Sequence, residues 1–434
     1  MSKMWYSSNL IARKITSAVL CLFAACTFAE EAQQEVSIRW RSHVSLNDCP
    51  VVLPLDSFPC FTAGQRCSLC VFLNGEELPS QLDDLNGDSV PDEIAFLLSL
   101  RKNKSYTLQL RTLEKPPSYA SEVWAEMYLN GAIGGEFREH TAEGKTYGIK
   151  PVRQQTFYPS DKSFRLMHHH GVAFESALMA YRVYFDSRQT VDVYAKRKPQ
   201  LELQQSLWYP CDSLLAVGYG DDVLKVGNTI GVGSVRPCQN GKLCKIEPFR
   251  SRTQRIIASG PVRTIVETEV NGWQPVPSLD DTLSMRVRYT LFARHRDVFC
   301  EVFLSAPVLS LVTGVQRVGK GEYKCFDHCV ASWGTDWPVN DTVKFARETV
   351  GLAVCVPGEY DVGSLPDTQN VLVQLRPSTY LNFFLTVVSL KENDPPVTCS
   401  RQFWHFVDSW QKTLRTELDV SKQLIRYRYS VSLP

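Results

Sequence analysis

HHHGVAFESALMAYRVYFDSRQTVDVYAKRK, residues 168–198, is the stretch from which the rest of the chain can be read. Three histidines run into a glycine, a glutamate follows, and two short alternating runs come after it. In residues 179–186, Tyr181, Val183 and Phe185 fall on one side of an extended chain, and Arg182, Tyr184 and Asp186 on the other. Val191, Val193 and Ala195 alternate in the same way with Asp192, Tyr194 and Lys196. The polar tetrapeptide Ser187-Arg188-Gln189-Thr190 between them has the length and composition of a hairpin loop. The register is open at this point. A two- or four-residue loop places Tyr181, Lys196, Tyr194 and Asp192 on one face, whereas a three-residue loop groups Arg182, Tyr184, Tyr194 and Asp192. Either face is crowded with acid–base groups. A solvated hairpin face is the ordinary reading of such a pattern, but the His-Gly turn and Glu175 just upstream favour a site.

Outward from the hairpin the same alternation recurs. From about residue 120 onward the chain is β-like in 214–234, 255–270, 283–305, 370–376 and 381–390. Gly260-Pro261 breaks the second of these into two strands. One convincing helix is expected, over residues 400–418, with Phe403, Phe406, Val407 and Trp410 on one face. A last strand is expected over residues 426–432. Before the hairpin, alternation begins at Val36, Ile38 and Trp40 and runs in short strands to about residue 112, punctuated by Pro50, Pro54 and Pro59. Lys115-Pro116-Pro117-Ser118 reads as a linker. The expected fold is mainly β: a small N-terminal β-sandwich over 34–114, then a large antiparallel β-sandwich over 120–434 with one C-terminal helix.

Composition bounds function. The 434 residues carry 47 basic and 46 acidic side chains, so the basic surplus that a nucleic-acid binder needs is missing. Lys3, Arg13 and Lys14 precede an apolar stretch ending in Thr27-Phe28-Ala29, which reads as a signal peptide over residues 1–29. A lipoprotein signal ending at Cys26 is the alternative. Later apolar runs fall short of the roughly 18 residues needed to span a bilayer. An exported protein, periplasmic or extracellular, free or lipid-anchored, is expected. Loss of Cys21 and Cys26 leaves twelve of the fourteen cysteines, and in an oxidising compartment disulfides are their default. Cys325 to Cys329 is expected to be a disulfide-clipped loop rather than a metal knuckle.

DLNGDSVPDE, residues 84–93, sets Asp84, Asn86, Asp88 and Asp92 at positions 1, 3, 5 and 9 of a calcium loop. Ala95 stands where an EF-hand needs glutamate, so this is a candidate structural calcium loop or an acidic turn without metal. The nucleophile elbow, P-loop, HExxH and Rossmann signatures are absent, and no cofactor is required by what remains. The glycines of GYGDDVLKVGNTIGVG, residues 218–233, suit tight turns and close backbone approach. Among His168, His169 and His170, alternate residues of an extended segment point opposite ways, and His170, beside Gly171, is the first candidate base. Tyr181 and Tyr194 could exchange protons beside Arg182, Lys196 or Lys198. Glu175 and Asp192 could form a glycosidase carboxylate pair. Lys225 and Asn228, close after Asp222, could hold a substrate carboxylate, and the lone His328 and His405 read as structural.

Taken in order, DDLNGDSVPDEIAFL (83–97), HGVAFESALMAYRVYFDSRQTVDVYAKRKPQLEL (170–203), DDVLKVGNTIGVGS (221–234) and SGPVRTIV (259–266) resemble a family. It is a domain-of-unknown-function family of secreted bacterial proteins encoded in polysaccharide-degradation loci, to which the ulvan oligosaccharide dehydratase is assigned. The resemblance spans roughly residues 36–430. Ala195 departs from it, standing where a glycine precedes the lysine in a DVYGK pattern, and so do the extra cysteine pairs and the third histidine. The resemblance implies that the larger sandwich is mutarotase-like. It also implies loss of water across C4 and C5 of the non-reducing-end uronic acid of an acidic oligosaccharide. Under that reading Arg182, Lys196 or Lys225 would grip the carboxylate, with Tyr194 and Asn228 lining the substrate. His170 would take the C5 proton, Glu175 would orient it, and Tyr181 would protonate the departing hydroxyl. A glycoside hydrolase using Glu175 and Asp192, or a non-catalytic glycan-binding protein, are the alternatives. The sequence leaves the oligomeric state open.

Overall fold

The computed structural model describes residues 33–39, 45–131, 138–142, 145–160, 166–275, 282–365 and 367–425. The leader expected over 1–29 and the strand expected over 426–432 lie outside those residues. The fold is mainly β, and its strand pairs are antiparallel.

Two small sheets come first. One runs in the order Gln33–Arg39, Ser105–Thr112, Leu69–Leu73 and Glu76–Leu78; the other runs Leu46–Pro54, Glu93–Leu100 and Ser80–Asp83. Alternation turns Val51, Leu53, Val71, Ile94, Phe96, Leu108 and Leu110 inward to a core of their own. The remainder is built on a nine-stranded sheet. Two five-stranded sheets contribute to the same large hydrophobic core, which joins Phe174, Tyr181, Val183 and Val193 to Val266, Tyr289, Val302 and Leu385. The first five-stranded sheet runs Asp221–Asp222, Val191–Ala195, Met179–Tyr184, Gly171–Ser176 and Val123–Glu126. The expected helix is present as Ser400–Ile425. It buries Phe403, Trp404, Val407, Trp410 and Leu414 in a cluster with Cys329, Ala331, Trp333 and Ala353, while Phe406 is partly buried.

The small sheets and the nine-stranded sheet meet at a buried ion cluster. Arg263 opens the strand Arg263–Trp273. Its Nε donates to Asp83 at 2.7 Å and its Nη2 to Glu93 at 2.8 Å. Gln81 accepts from the backbone N–H groups of Val262 and Arg263 at 2.7 and 2.9 Å and donates to the Arg263 carbonyl at 3.0 Å. Charges and amide are all buried and all satisfied, the condition under which ions persist away from water.

The cysteines correct one expectation. Cys329 is bonded to Cys355, its direct partner across two adjacent strands, while Cys325 keeps a free thiol. In the Glu322–Phe326 hairpin, Phe326 is paired with Cys329, so Cys325 projects from the opposite face and cannot reach it. Cys67, Cys70, Cys238 and Cys244 are thiols as well.

Replacing Arg263 by alanine would take away the buried guanidinium that both Asp83 and Glu93 accept from. We expect a loss of about 3–5 kcal/mol in denaturant unfolding, whereas Arg294→Ala, at the exposed ion pairs with Asp48 and Glu122, should cost about 1 kcal/mol or less.

Candidate functional site

The hairpin register is now fixed. Arg182 lies opposite Asp192, Tyr181 opposite Val193 and Ala180 opposite Tyr194. The Tyr184 N–H donates to the Thr190 carbonyl at 2.9 Å, so Phe185 to Gln189 form the loop. Its odd length groups Arg182, Tyr184, Asp192 and Tyr194 on one face, the arrangement expected of a three-residue loop. Ala173 and Glu175 of the neighbouring strand, Glu126 beyond it, and Asp222 at the other edge join them by register.

Arg182 is the hub. It is 3% exposed, and all five of its N–H groups are engaged. Nε and Nη2 donate to Asp192 Oδ2 at 3.1 and 2.7 Å, Nη2 also to the Tyr184 hydroxyl at 2.8 Å and to Asp222 Oδ2 at 3.3 Å. Nη1 donates to the His169 carbonyl at 3.3 Å and to the Tyr209 hydroxyl at 3.0 Å. The guanidinium carbon lies 4.4 Å from the ring centre of Trp208 and 4.7 Å from that of Tyr184, within cation–π range. Burial pushes the Tyr184 phenol up, against the pull of Arg182. Burial raises the carboxyls of both Asp192 and Asp222, in each case opposed by Arg182, and Asp192 adds a further upward push on Asp222.

The three histidines form a strained turn rather than a strand. His169 and His170 both take left-handed backbone, with φ of 40° and 66°, a conformation that L-residues other than glycine hold only when their surroundings impose it. The turn alters the expected alternation. His169 is buried, with Nε2 3.2 Å from Glu126 and Nδ1 3.1 Å from the Gly171 carbonyl. His168 meets Tyr209 edge to face, with ring centres 5.9 Å apart. His170 is half-buried and stacks parallel to Tyr184 at 6.0 Å. Gly171 is needed because a Cβ there would lie 2.0 Å from the Val183 carbonyl oxygen; at Gly220 it would lie 1.8 Å from that of Ala195.

Several expected site residues lie elsewhere. Tyr181 points into the large core, stacks on Phe174 and donates to the Arg296 carbonyl. It is on the face opposite Arg182, so it cannot serve as an acid beside His170. Lys196 spends its three N–H donors on the Glu175 carboxylate and on the Ser176 and Gln200 carbonyls, at 1% exposure. It has no donor left for a substrate. Glu175 also accepts from the Glu202 and Leu203 N–H groups at 2.8–2.9 Å; it seats the short helical turn Leu203–Ser206 and does not orient His170. Burial pushes its carboxyl up, opposed by Lys196. Tyr194 is buried against Trp208, with its hydroxyl 2.8 Å from both Glu202 Oε2 and the Gly220 carbonyl. Glu175 and Asp192 are both buried and satisfied, a poor arrangement for a glycosidase pair. Lys225 and Asn228 are exposed on the loop after Asp222. Arg188 bonds the Gly227 carbonyl at 2.6 Å and lies 5.7 Å from the Tyr184 ring centre, which brings that loop beside the hairpin. Arg188, Trp208, Tyr209 and Glu126 are the members that sequence reasoning missed. Only Arg188 carried a signal, as the one cation in the hairpin loop.

The acidic loop is self-satisfied. Asp84 accepts from the Gly87 and Ser89 N–H groups, Asn86 from Asp88, Asp88 from Val90, and Asp92 from Leu85, at 2.6–2.8 Å. These bonds account for the turn, and among the described residues no group of three or more His, Cys, Asp or Glu is placed to hold a metal ion. His328 is held 2.9 Å from Asp361, and His405 is exposed on the C-terminal helix.

Fold and site together describe an antiparallel β-sandwich protein with a buried cation–carboxyl–aromatic centre on the outer face of one sheet. The chain belongs to the DUF4861 family, a domain of unknown function, whose pattern matches residues 38–420. No curated protein matches the chain. Among solved structures it is similar to a protein in the glycosyl hydrolase family 38 from Enterococcus faecalis, at 8% identity and TM-score 0.35 over 83% of this chain and 43% of that one. An alpha-mannosidase from Enterococcus faecalis V583 matches at 8% identity and TM-score 0.34, over 83% of this chain and 42% of that one. The chain therefore spans less than half the length of either protein.

Adding a methyl group at Gly171 should strain the turn that holds His170. Gly171→Ala is expected to lose about 1–3 kcal/mol in denaturant unfolding, with a matching drop in near-ultraviolet circular dichroism from the stacked rings.

Proposed function

We propose that this chain is an exported carbohydrate-active enzyme that eliminates water from the non-reducing-end uronic acid of an acidic oligosaccharide. The observation that carries this reading is His170 stacked on Tyr184, whose hydroxyl contacts both Arg182 and Asp192. A half-buried imidazole is the natural base for the C5 proton near neutral pH. With Tyr181 facing the core, proton delivery to the departing hydroxyl falls to the Tyr184 face. With Arg182 and Lys196 saturated, the substrate carboxylate falls to the rim, where Arg188, Lys225 and Asn228 lie along one loop contact. Neutralising that carboxylate is what makes the C5 proton acidic.

Export rests on the leader at residues 1–29 and agrees with the Cys329–Cys355 disulfide. Among the described residues, no helix is long and apolar enough to cross a membrane.

The test is a panel of acidic oligosaccharides followed by ultraviolet absorbance of the conjugated carboxylate. We expect absorbance to grow with at least one oligouronide. His170→Ala should lower kcat by about 100-fold or more without shifting Tm. New reducing ends with no chromophore would assign hydrolysis instead. Saturable binding without product would assign a glycan-binding protein.

A further inference from the structure

We propose that Asp192 and Asp222 hold a single proton between them over Arg182, and that Asp222 delivers it to the departing hydroxyl. This rests on the elimination reading for its substrate, while the shared proton stands on geometry alone. One guanidinium nitrogen, Arg182 Nη2, bonds Asp192 Oδ2 at 2.7 Å and Asp222 Oδ2 at 3.3 Å. Two carboxyls therefore converge on one cation, and one full negative charge would be left uncompensated if both ionised. In a buried site such a pair holds one proton to higher pH than a lone carboxyl would, as a unit rather than as two independent acids.

The other groups facing the pair do not remove the surplus charge. From the hairpin the Tyr184 hydroxyl donates to Asp192 at 3.2 Å. From the covering segment the Trp208 indole N–H donates to Asp222 at 3.3 Å, and Tyr209 shares Arg182. From the histidine turn a backbone carbonyl reaches Arg182, and His168 packs on Tyr209. On Asp222's own strand, Asp221 is paired with Lys391, which is also held 2.7 Å from Glu348. Among the described residues Arg182 is thus the one cation bonded to the pair.

The two carboxyls differ in access. Asp192 is 1% exposed and Asp222 is 14% exposed, so Asp222 is the member that a ligand can touch. In the step, His170 takes the proton from C5 and the C5–H electron pair becomes the C4=C5 double bond. The C4–O bond breaks, and the oxygen leaves as water with the proton from Asp222. The enzyme is left with His170 protonated and both carboxyls ionised, and solvent returns the proton from one to the other. No redox partner enters.

Two measurements test this. The first needs no substrate: the Tm of Asp222→Asn minus that of wild type, followed from about pH 4 to about pH 8. A carboxyl whose pKa is raised on folding costs stability progressively as pH rises from its unfolded value through its folded value. Asparagine does not titrate, so the difference should rise with pH by several degrees. Infrared difference spectra of the wild type at neutral pH should show a protonated carboxyl band that the variant lacks. A flat or falling difference, or no such band, overturns the shared proton whatever the activity. The second uses the uronide found active in the panel. Asp222→Asn should lose about 100-fold in kcat, yet stay within a few-fold of wild type on the analogue with fluoride at C4, which leaves without a proton. His170→Ala should fail on both. Equal loss of the variant on both substrates overturns the donor role. A wild type inert on all uronides overturns the elimination reading and, with it, the donor role, while the Tm slope still decides whether the proton is shared.

Discussion

The ion pair between Arg182 and Asp192 fixes the rest of the site. The two residues face each other directly across the hairpin, both away from water. Slipping the register by one residue would turn Arg182 into the aliphatic core and Val183 out of it. The cost of burying an unpaired guanidinium makes that alternative inaccessible. Once the pair is set, everything else on the face follows from strand geometry: Tyr184 two residues on, Glu175 and Ala173 one strand over, Asp222 at the edge.

The two faces of this sheet divide the labour. The inner face is apolar apart from the Tyr181 and Ser176 hydroxyls and Asp221 at the edge strand, and it locks the sheet onto the main core. The outer face is polar and is roofed by residues 199–220. That roof is held from below by buried carboxylates: Glu175 takes the Glu202 and Leu203 amides, and Glu202 takes the Gly220 amide and the Tyr194 hydroxyl. Trp208 and Tyr209 then arrive over Arg182 with little freedom left. Lys196 and Glu175, chemically suggestive in the sequence, are spent on this roof.

Much of the fold was legible because alternation is a local signal. The hairpin, the long strands and the apolar stripe of the C-terminal helix all follow from spacing within a dozen residues. The site was legible only in part. Arg182, Asp192 and His170 stood out by type, but which face they shared depended on whether the loop was odd or even, and the residues 185–190 fit either. Tyr181 and Tyr184 look equivalent in the sequence; one residue of parity sends the first to the core and the second to the site. Trp208, Tyr209 and Glu126 come from segments whose approach depends on long-range packing, and no local pattern marks them. The left-handed pair His169–His170 was hidden for the opposite reason: nothing in a run of histidines announces a turn that the surrounding packing imposes.

The Arg263 cluster bears on how such a chain can be recombined. The cation comes from the large sheet, while Gln81, Asp83 and Glu93 come from the small ones. Neither half is electrically complete by itself. A chimera that swaps the N-terminal sheets between relatives would have to carry matching residues at all four positions, or a charge would be stranded at the seam. The two sandwiches look like separable modules in the sequence, but through this seam they can be exchanged only as a matched set.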